Sequence, residues 1–124
     1  MSADTPSDRV DGLLDLRNKL RTFSAERDWE KFHSPKNIAI ALSVEASELL
    51  ERFQWLTEAE SRTLPSSTLA QVREEMADVL LYLVILADKL DVDLVDASRM
   101  KLEVNALKYP VESARGNSRK YTDL

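Results

Sequence analysis

Apolar residues recur at intervals of three and four along most of the chain, and the strict alternation of a half-buried strand is absent. In the first helix this pattern predicts, from after Ser7 to about Arg27, Leu13, Leu16, Leu20 and Phe23 form the apolar stripe. Ser34-Pro35 supplies an N-cap and a first-turn proline for a second helix, with Ile38, Leu42, Leu49, Phe53 and Leu56 on one stripe and its end near Trp55 or Leu56. Thr57-Glu-Ala-Glu60 has the form of a capping box and predicts a short extra turn before Leu64-Pro65. Ser66-Ser-Thr68 with Gln71 has the same form and opens a third helix, which becomes apolar on every side from Val79 to Ala87 and stops near Leu90. Asp93 caps a fourth from Leu94 to about Leu107, ended by Tyr109-Pro110. Residues from Glu112 to Leu124 are polar and without period. The expected fold is all-α: a four-helix bundle with a short extra helical turn and a C-terminal arm, divided as a flexible stretch 1–8, a helical domain 9–110 and a basic arm or tail 111–124.

Two acidic pairs interrupt this pattern. Glu45 lies in the middle of the second helix's apolar stripe and Glu48 at its edge, while Glu75 and Asp78 stand one turn before Tyr82 and in line with it. A single acidic pair three residues apart is ordinarily a solvated face or a partner for Lys and Arg. Two such pairs on consecutive helices, both on apolar faces, are harder to explain that way. Burial disfavours the charged form, and four carboxylates close together repel one another. A divalent cation removes both conflicts. Oxygen ligands suit Mg²⁺, or Mn²⁺ in its place, and Mg²⁺ is usually held by a few carboxylates together with substrate phosphates. Di-iron bundles also use carboxylates from facing helices but need Glu-x-x-His on two of them. The single histidine, His33, lies outside both helices, so that chemistry does not fit.

Composition narrows the field further. A chain of 124 residues is expected to form one domain, and without cysteine it has neither disulfides nor thiolate metal sites. Its net charge of −5 argues against a nucleic-acid polymer as partner. The first residues carry no basic and apolar signal, and the apolar run Val79–Ala87 is too short to span a bilayer, so no membrane partner and a cytoplasmic location are expected. Two glycines, Gly12 and Gly116, leave little room for hairpin turns or glycine-rich phosphate loops. An all-round apolar third helix is more than three neighbours in so small a monomer would cover, which predicts a homo-oligomer; a tetramer is the favoured expectation and a dimer the alternative, a choice the helix pattern itself does not make.

Glu45-x-x-Glu48 followed 27 residues later by Glu75-x-x-Asp78 resembles the signature of the MazG-like all-α nucleoside triphosphate pyrophosphohydrolases. The surrounding words Arg27-Asp-Trp-Glu-Lys-Phe-His33, Phe53-Gln-Trp55, Asp78-Val-Leu-Leu-Tyr82-Leu, Lys101-x-x-x-Asn105-x-x-x-Tyr109-Pro and Ser118-Arg-Lys-Tyr-Thr-Asp-Leu124 are similar to the dCTP pyrophosphatase branch, and the resemblance covers roughly residues 9–124. It implies Mg²⁺-dependent hydrolysis of the α–β phosphoanhydride of a nucleoside triphosphate, dCTP or a modified dCTP, to monophosphate and pyrophosphate, in nucleotide-pool sanitation. Glu45, Glu48, Glu75 and Asp78 would hold the metal, with Glu45 or Glu48 orienting the attacking water or taking its proton. Trp29 and Trp55 could sandwich the base, with His33 touching the nucleotide and the amide of Asn105 reading a pyrimidine edge. Tyr82 and Tyr109 would shape the sugar pocket, Lys101 would meet phosphate, and Arg119 and Lys120 on the arm would close over the triphosphate. Outside the resemblance, each of these residues also reads as core, interface or solvated face. Two alternatives stay open: the same chemistry on another pyrimidine or damaged nucleotide, and a non-catalytic helical binding or assembly module.

Overall fold

Side-chain caps open three of the helices in the computed structural model, which describes residues 12–124. The expected start of the first helix and the stretch 1–8 lie outside the described residues. Helix α1 spans Gly12–Glu26, α2 Pro35–Glu51, α3 Glu58–Arg62, α4 Ser66–Lys89, α5 Leu94–Lys108 and α6 Val111–Ala114, with 3-10 turns at Glu30–Phe32 and Tyr121–Asp123. Among the described residues there is no strand, and no helix is long and apolar enough to cross a membrane. The Ser34 hydroxyl accepts from the Asn37 N–H, and Pro35 occupies the first turn of α2. Thr57 and Glu60 make the full reciprocal capping box of α3.

Two boundaries differ from the sequence expectation. Helix α2 ends at Glu51, a turn early, because the chain tightens into three-residue bonds: the N–H of Phe53 donates to the Leu50 carbonyl at 2.9 Å and that of Leu56 to Phe53 at 2.9 Å. Helix α4 begins at Ser66 itself, with no side-chain cap. Pro65 already has the extended backbone of a cap position, and its carbonyl accepts the first helical bond from Leu69. At the other end of α4, Asp91 takes the left-handed conformation at φ 55° that turns the chain out of the helix.

The chain divides into two compact units, Met1–Asp91 and Val92–Leu124. In the first, α2 lies along α4 and α1 packs against it over a shorter length. Ile38, Val72, Val84 and Ala87 are its buried apolar side chains. On α1 the buried stripe continues from Leu20 to Ser24 instead of Phe23, as the 3.6-residue period requires, and Phe23 is 44% exposed. Its ring is covered instead by the Arg27 guanidinium at 3.7 Å and the edge of Trp29 at 5.7 Å. Arg21 of α1 grips Asp88 of α4 with two bonds of 2.9 and 2.5 Å. That grip, outweighing the cost of burial, holds the Asp88 carboxyl below its ordinary pKa.

In the second unit, the Asp93 carboxylate accepts from the Asp96 N–H and caps α5. The polar segment after Tyr109 contains α6, a turn at Gly116 with φ 79°, and the final 3-10 turn. The Tyr121 ring meets Tyr109 edge to face at 6.0 Å, with the Lys108 ammonium 4.9 Å over Tyr121.

Ile38 is 2% exposed where α2 is buried within the first unit. We predict that Ile38→Ala lowers unfolding stability by about 2–4 kcal/mol, since a cavity is added to the lost transfer energy. Chemical denaturation followed by circular dichroism would show this, and a loss below ~1 kcal/mol would mean that the α2 contact is not the centre of the unit.

Candidate active site

The lateral contact of α2 with α4 brings the acidic pairs together. Glu45 and Glu48 are one turn apart on α2, so both face the same side, and Glu75 enters from the first half of α4. One carboxylate oxygen of each of the three lies within 4.8 Å of the others. All three are half-buried, and the Glu75 side chain is 12% exposed. Glu45 Oε2 and Glu75 Oε2 are buried without any hydrogen-bond donor, which is costly for an acceptor that normally holds water. Burial first, then proton sharing with Glu48 and the negative charges of Glu48, Asp78 and Glu75, push the Glu45 carboxyl up to about 7.

These features test the donor set against a cation. Three convergent oxygens, from residues of which two also carry a buried oxygen without a donor, fit a hard divalent ion that takes oxygen ligands and would replace repulsion by attraction. Asp78 is exposed one turn after Glu75 and stands outside the three-oxygen group, near enough for its charge to be felt at Glu45.

One member of the cluster escaped the sequence reading. Arg52, the residue capping α2, places Nη2 3.3 Å from Glu75 Oε1. Four residues after Glu48, it reads in the sequence as an ordinary surface pair within one helix. Its partner is instead 23 residues away on α4, which no local pattern reveals.

The remaining candidates are distributed over both units. Tyr82 is half-buried on α4, two turns beyond Glu75. His33 lines a shallow, open cleft together with Arg21, Ser24, Glu30, Val84 and Asp88. The residues from Val84 to Asp88 lie roughly 14–20 Å along α4 from Glu75, so His33 and the acidic cluster belong to different parts of the helix. Trp29 is 45% exposed and engaged by Phe23, whereas Trp55 is 86% exposed and meets no other ring among the described residues. Lys101, Asn105 and Tyr109 recur at intervals of four along α5 and its cap in the second unit, with Asn105 half-buried and the other two exposed. Arg119 and Lys120 are exposed on the folded segment before the final turn.

Fold and site together define an all-α protein carrying a carboxylate cradle on two adjacent helices. The MazG-like family model matches residues 40–124, which include all four acids. The chain is 46% identical over 114 residues to mouse (Mus musculus) and human (Homo sapiens) dCTP pyrophosphatase 1, covering 90% of this chain and 67% of those relatives. A solved pyrophosphatase from Archaeoglobus fulgidus superposes with a TM-score of 0.69 at 36% identity, over 89% of this chain and 98% of that one. The chain belongs to the MazG-like family.

The Glu45 shift carries a pH consequence. A carboxyl raised from 4.5 to about 7 binds more protons folded than unfolded, so metal-free stability falls as pH rises between those values. Thermal unfolding in chelator is therefore expected to show a lower midpoint at pH 8 than at pH 5.5. Millimolar Mg²⁺ should raise the midpoint more at pH 8. An equal rise at both pH values would count against a cation bound at ionised Glu45.

Proposed function

We propose that this protein hydrolyses the α–β phosphoanhydride of dCTP or a modified dCTP, with Mg²⁺, or Mn²⁺ as substitute. The observation that carries this reading is the trio of carboxylate oxygens within 4.8 Å, two residues of which have a buried, donorless oxygen. A metal held there supplies charge neutralisation for the triphosphate and a lowered pKa for water. Glu45, Glu48 and Glu75 would ligate it, joined by Asp78, one turn along α4. Whichever of Glu45 and Glu48 is less engaged orients the attacking water and accepts its proton. Water adds to the α-phosphorus as the bridging oxygen leaves with pyrophosphate, so nucleoside monophosphate and pyrophosphate are the products and no enzyme-bound ester is needed.

The mammalian relatives are dCTP pyrophosphatases, which supports the choice of dCTP. Exposed Trp55 and half-exposed Trp29 offer flat surfaces for a base, where stacking is worth about 1–3 kcal/mol. Asn105 supplies both donor and acceptor to a pyrimidine edge, His33 contacts the nucleotide, Tyr82 and Tyr109 border the sugar, and Lys101, Arg119 and Lys120 take phosphate oxygens. Ile40, Val44 and Leu50 on α2 and Met76 and Leu80 on α4 remain exposed in the single chain, which supports a homo-oligomer, a tetramer in preference to a dimer. The enzyme would act on free nucleotides in the cytoplasm, cleansing the pool before polymerases draw on it.

A panel of canonical and modified nucleoside triphosphates with Mg²⁺, resolving monophosphate, diphosphate, pyrophosphate and phosphate, is expected to give monophosphate plus pyrophosphate, fastest with a cytosine base. Diphosphate plus phosphate would reject α–β cleavage. Glu48→Gln should lower turnover by about 10²–10³-fold and weaken Mn²⁺ binding together. Nucleotide binding unchanged by that substitution, with no turnover in either protein, would favour a binding module.

Deletion of residues 113–124 tests the arm separately. The expected result is a several-fold rise in KM through loss of Arg119 and Lys120, with assembly unchanged and helical content reduced only by α6 and the final 3-10 turn. Unaltered kinetics would remove the arm from the site.

A further inference from the structure

Two arginine–carboxylate pairs in the first unit are built differently. Arg21 and Asp88 form a matched fork, with Nε at 2.9 Å from one oxygen and Nη2 at 2.5 Å from the other. This is the geometry in which guanidinium and carboxylate satisfy each other. Arg52 and Glu75 share a single contact of 3.3 Å, longer than a charge-assisted bond normally is. Arg52 Nε is buried without an acceptor and Glu75 Oε2 is buried without a donor, although the two residues touch. Their ion pair is half made.

A half-made buried pair is poor for stability, because each orphaned atom retains its desolvation cost. Electrostatics explains its presence. With neither Arg52 nor a metal ion beside it, Glu75 would face Glu45 and Glu48 with no positive charge at hand. A divalent cation needs the same Glu75 carboxylate and is repelled by a guanidinium already in contact with it. We propose that Arg52 is the resident counter-ion of the metal-free cluster, displaced from Glu75 when a divalent cation binds. It is a positioning residue that stabilises the empty cradle and lowers its affinity for bare metal. The inference rests on the metal-binding role given above to Glu75.

The test uses nucleotide-free full-length protein and Mn²⁺ alone, titrated by electron paramagnetic resonance. Arg52→Gln is expected to bind Mn²⁺ about three- to tenfold more tightly than the unmodified protein, since a competing charge has gone. Its metal-free melting midpoint should fall, and saturating Mn²⁺ should remove most of the deficit. Unchanged or weaker Mn²⁺ binding, with a deficit that metal does not repair, would show that Arg52 only supports the fold and would overturn the proposal. Mn²⁺ binding by neither protein would instead reject the metal reading of the cluster, and this inference with it. A measurement independent of the variant's folding is the Arg52 Nε–H resonance of the unmodified protein during Mg²⁺ titration. It should shift in step with occupancy, and an Arg52 signal indifferent to Mg²⁺ would also overturn the proposal.

Discussion

Repulsion among carboxylates held between two packed helices is the constraint around which the first unit is organised. Glu45 occupies a position on α2 that the apolar stripe would otherwise fill, and Glu75 is almost wholly enclosed against it. Leucine at either position would pack better and carry no desolvation cost. A divalent cation bound as proposed would relieve that conflict by replacing repulsion with attraction. Protonation near neutrality and the partial contact with Arg52 moderate that strain in different ways, one by removing a charge and the other by opposing it.

The rest of the first unit supplies rigidity where the site does not. The fork between Arg21 and Asp88 ties α1 to the far half of α4, several turns from Glu75, and Val84 and Ala87 bury their side chains on the same stretch. A stable far end lets the near end carry mismatched charge without the helices separating. Only four apolar side chains among the described residues are buried, Ile38, Val72, Val84 and Ala87, while Ile40, Val44, Met76 and Leu80 on the site-bearing helices stay in solvent. A chain with so thin a core depends on whatever covers those faces, and further copies of itself are the cover proposed above.

Much of this was legible from residue pattern. Helical periodicity with Ser34, Thr57 and Asp93 as caps placed α2, α3 and α5 to within a turn, because caps act on backbone groups only a few residues away. It was less reliable where local chemistry competed. Pro65 displaced the expected cap of α4, three-residue bonds shortened α2, and the period of α1 buried Ser24 in place of Phe23. The acidic cluster announced itself by carboxylates on apolar stripes, a conflict visible without coordinates. His33 and Trp29 could be named as candidates, yet nothing in their spacing told that one lines a cleft far along α4 or that the other leans on Phe23.

What the sequence determined by itself was therefore the helices and the charge anomaly, since each depends on residue type and on neighbours within one or two turns. The tertiary structure decided which oxygens converge. It drew Glu45, Glu48 and Glu75 into one group with Asp78 at its margin, and it joined Arg52 to an acid on another helix instead of to Glu48 beside it. Those outcomes follow from the rotation and register of α2 against α4, which side-chain packing along the whole contact selects and no local pattern encodes.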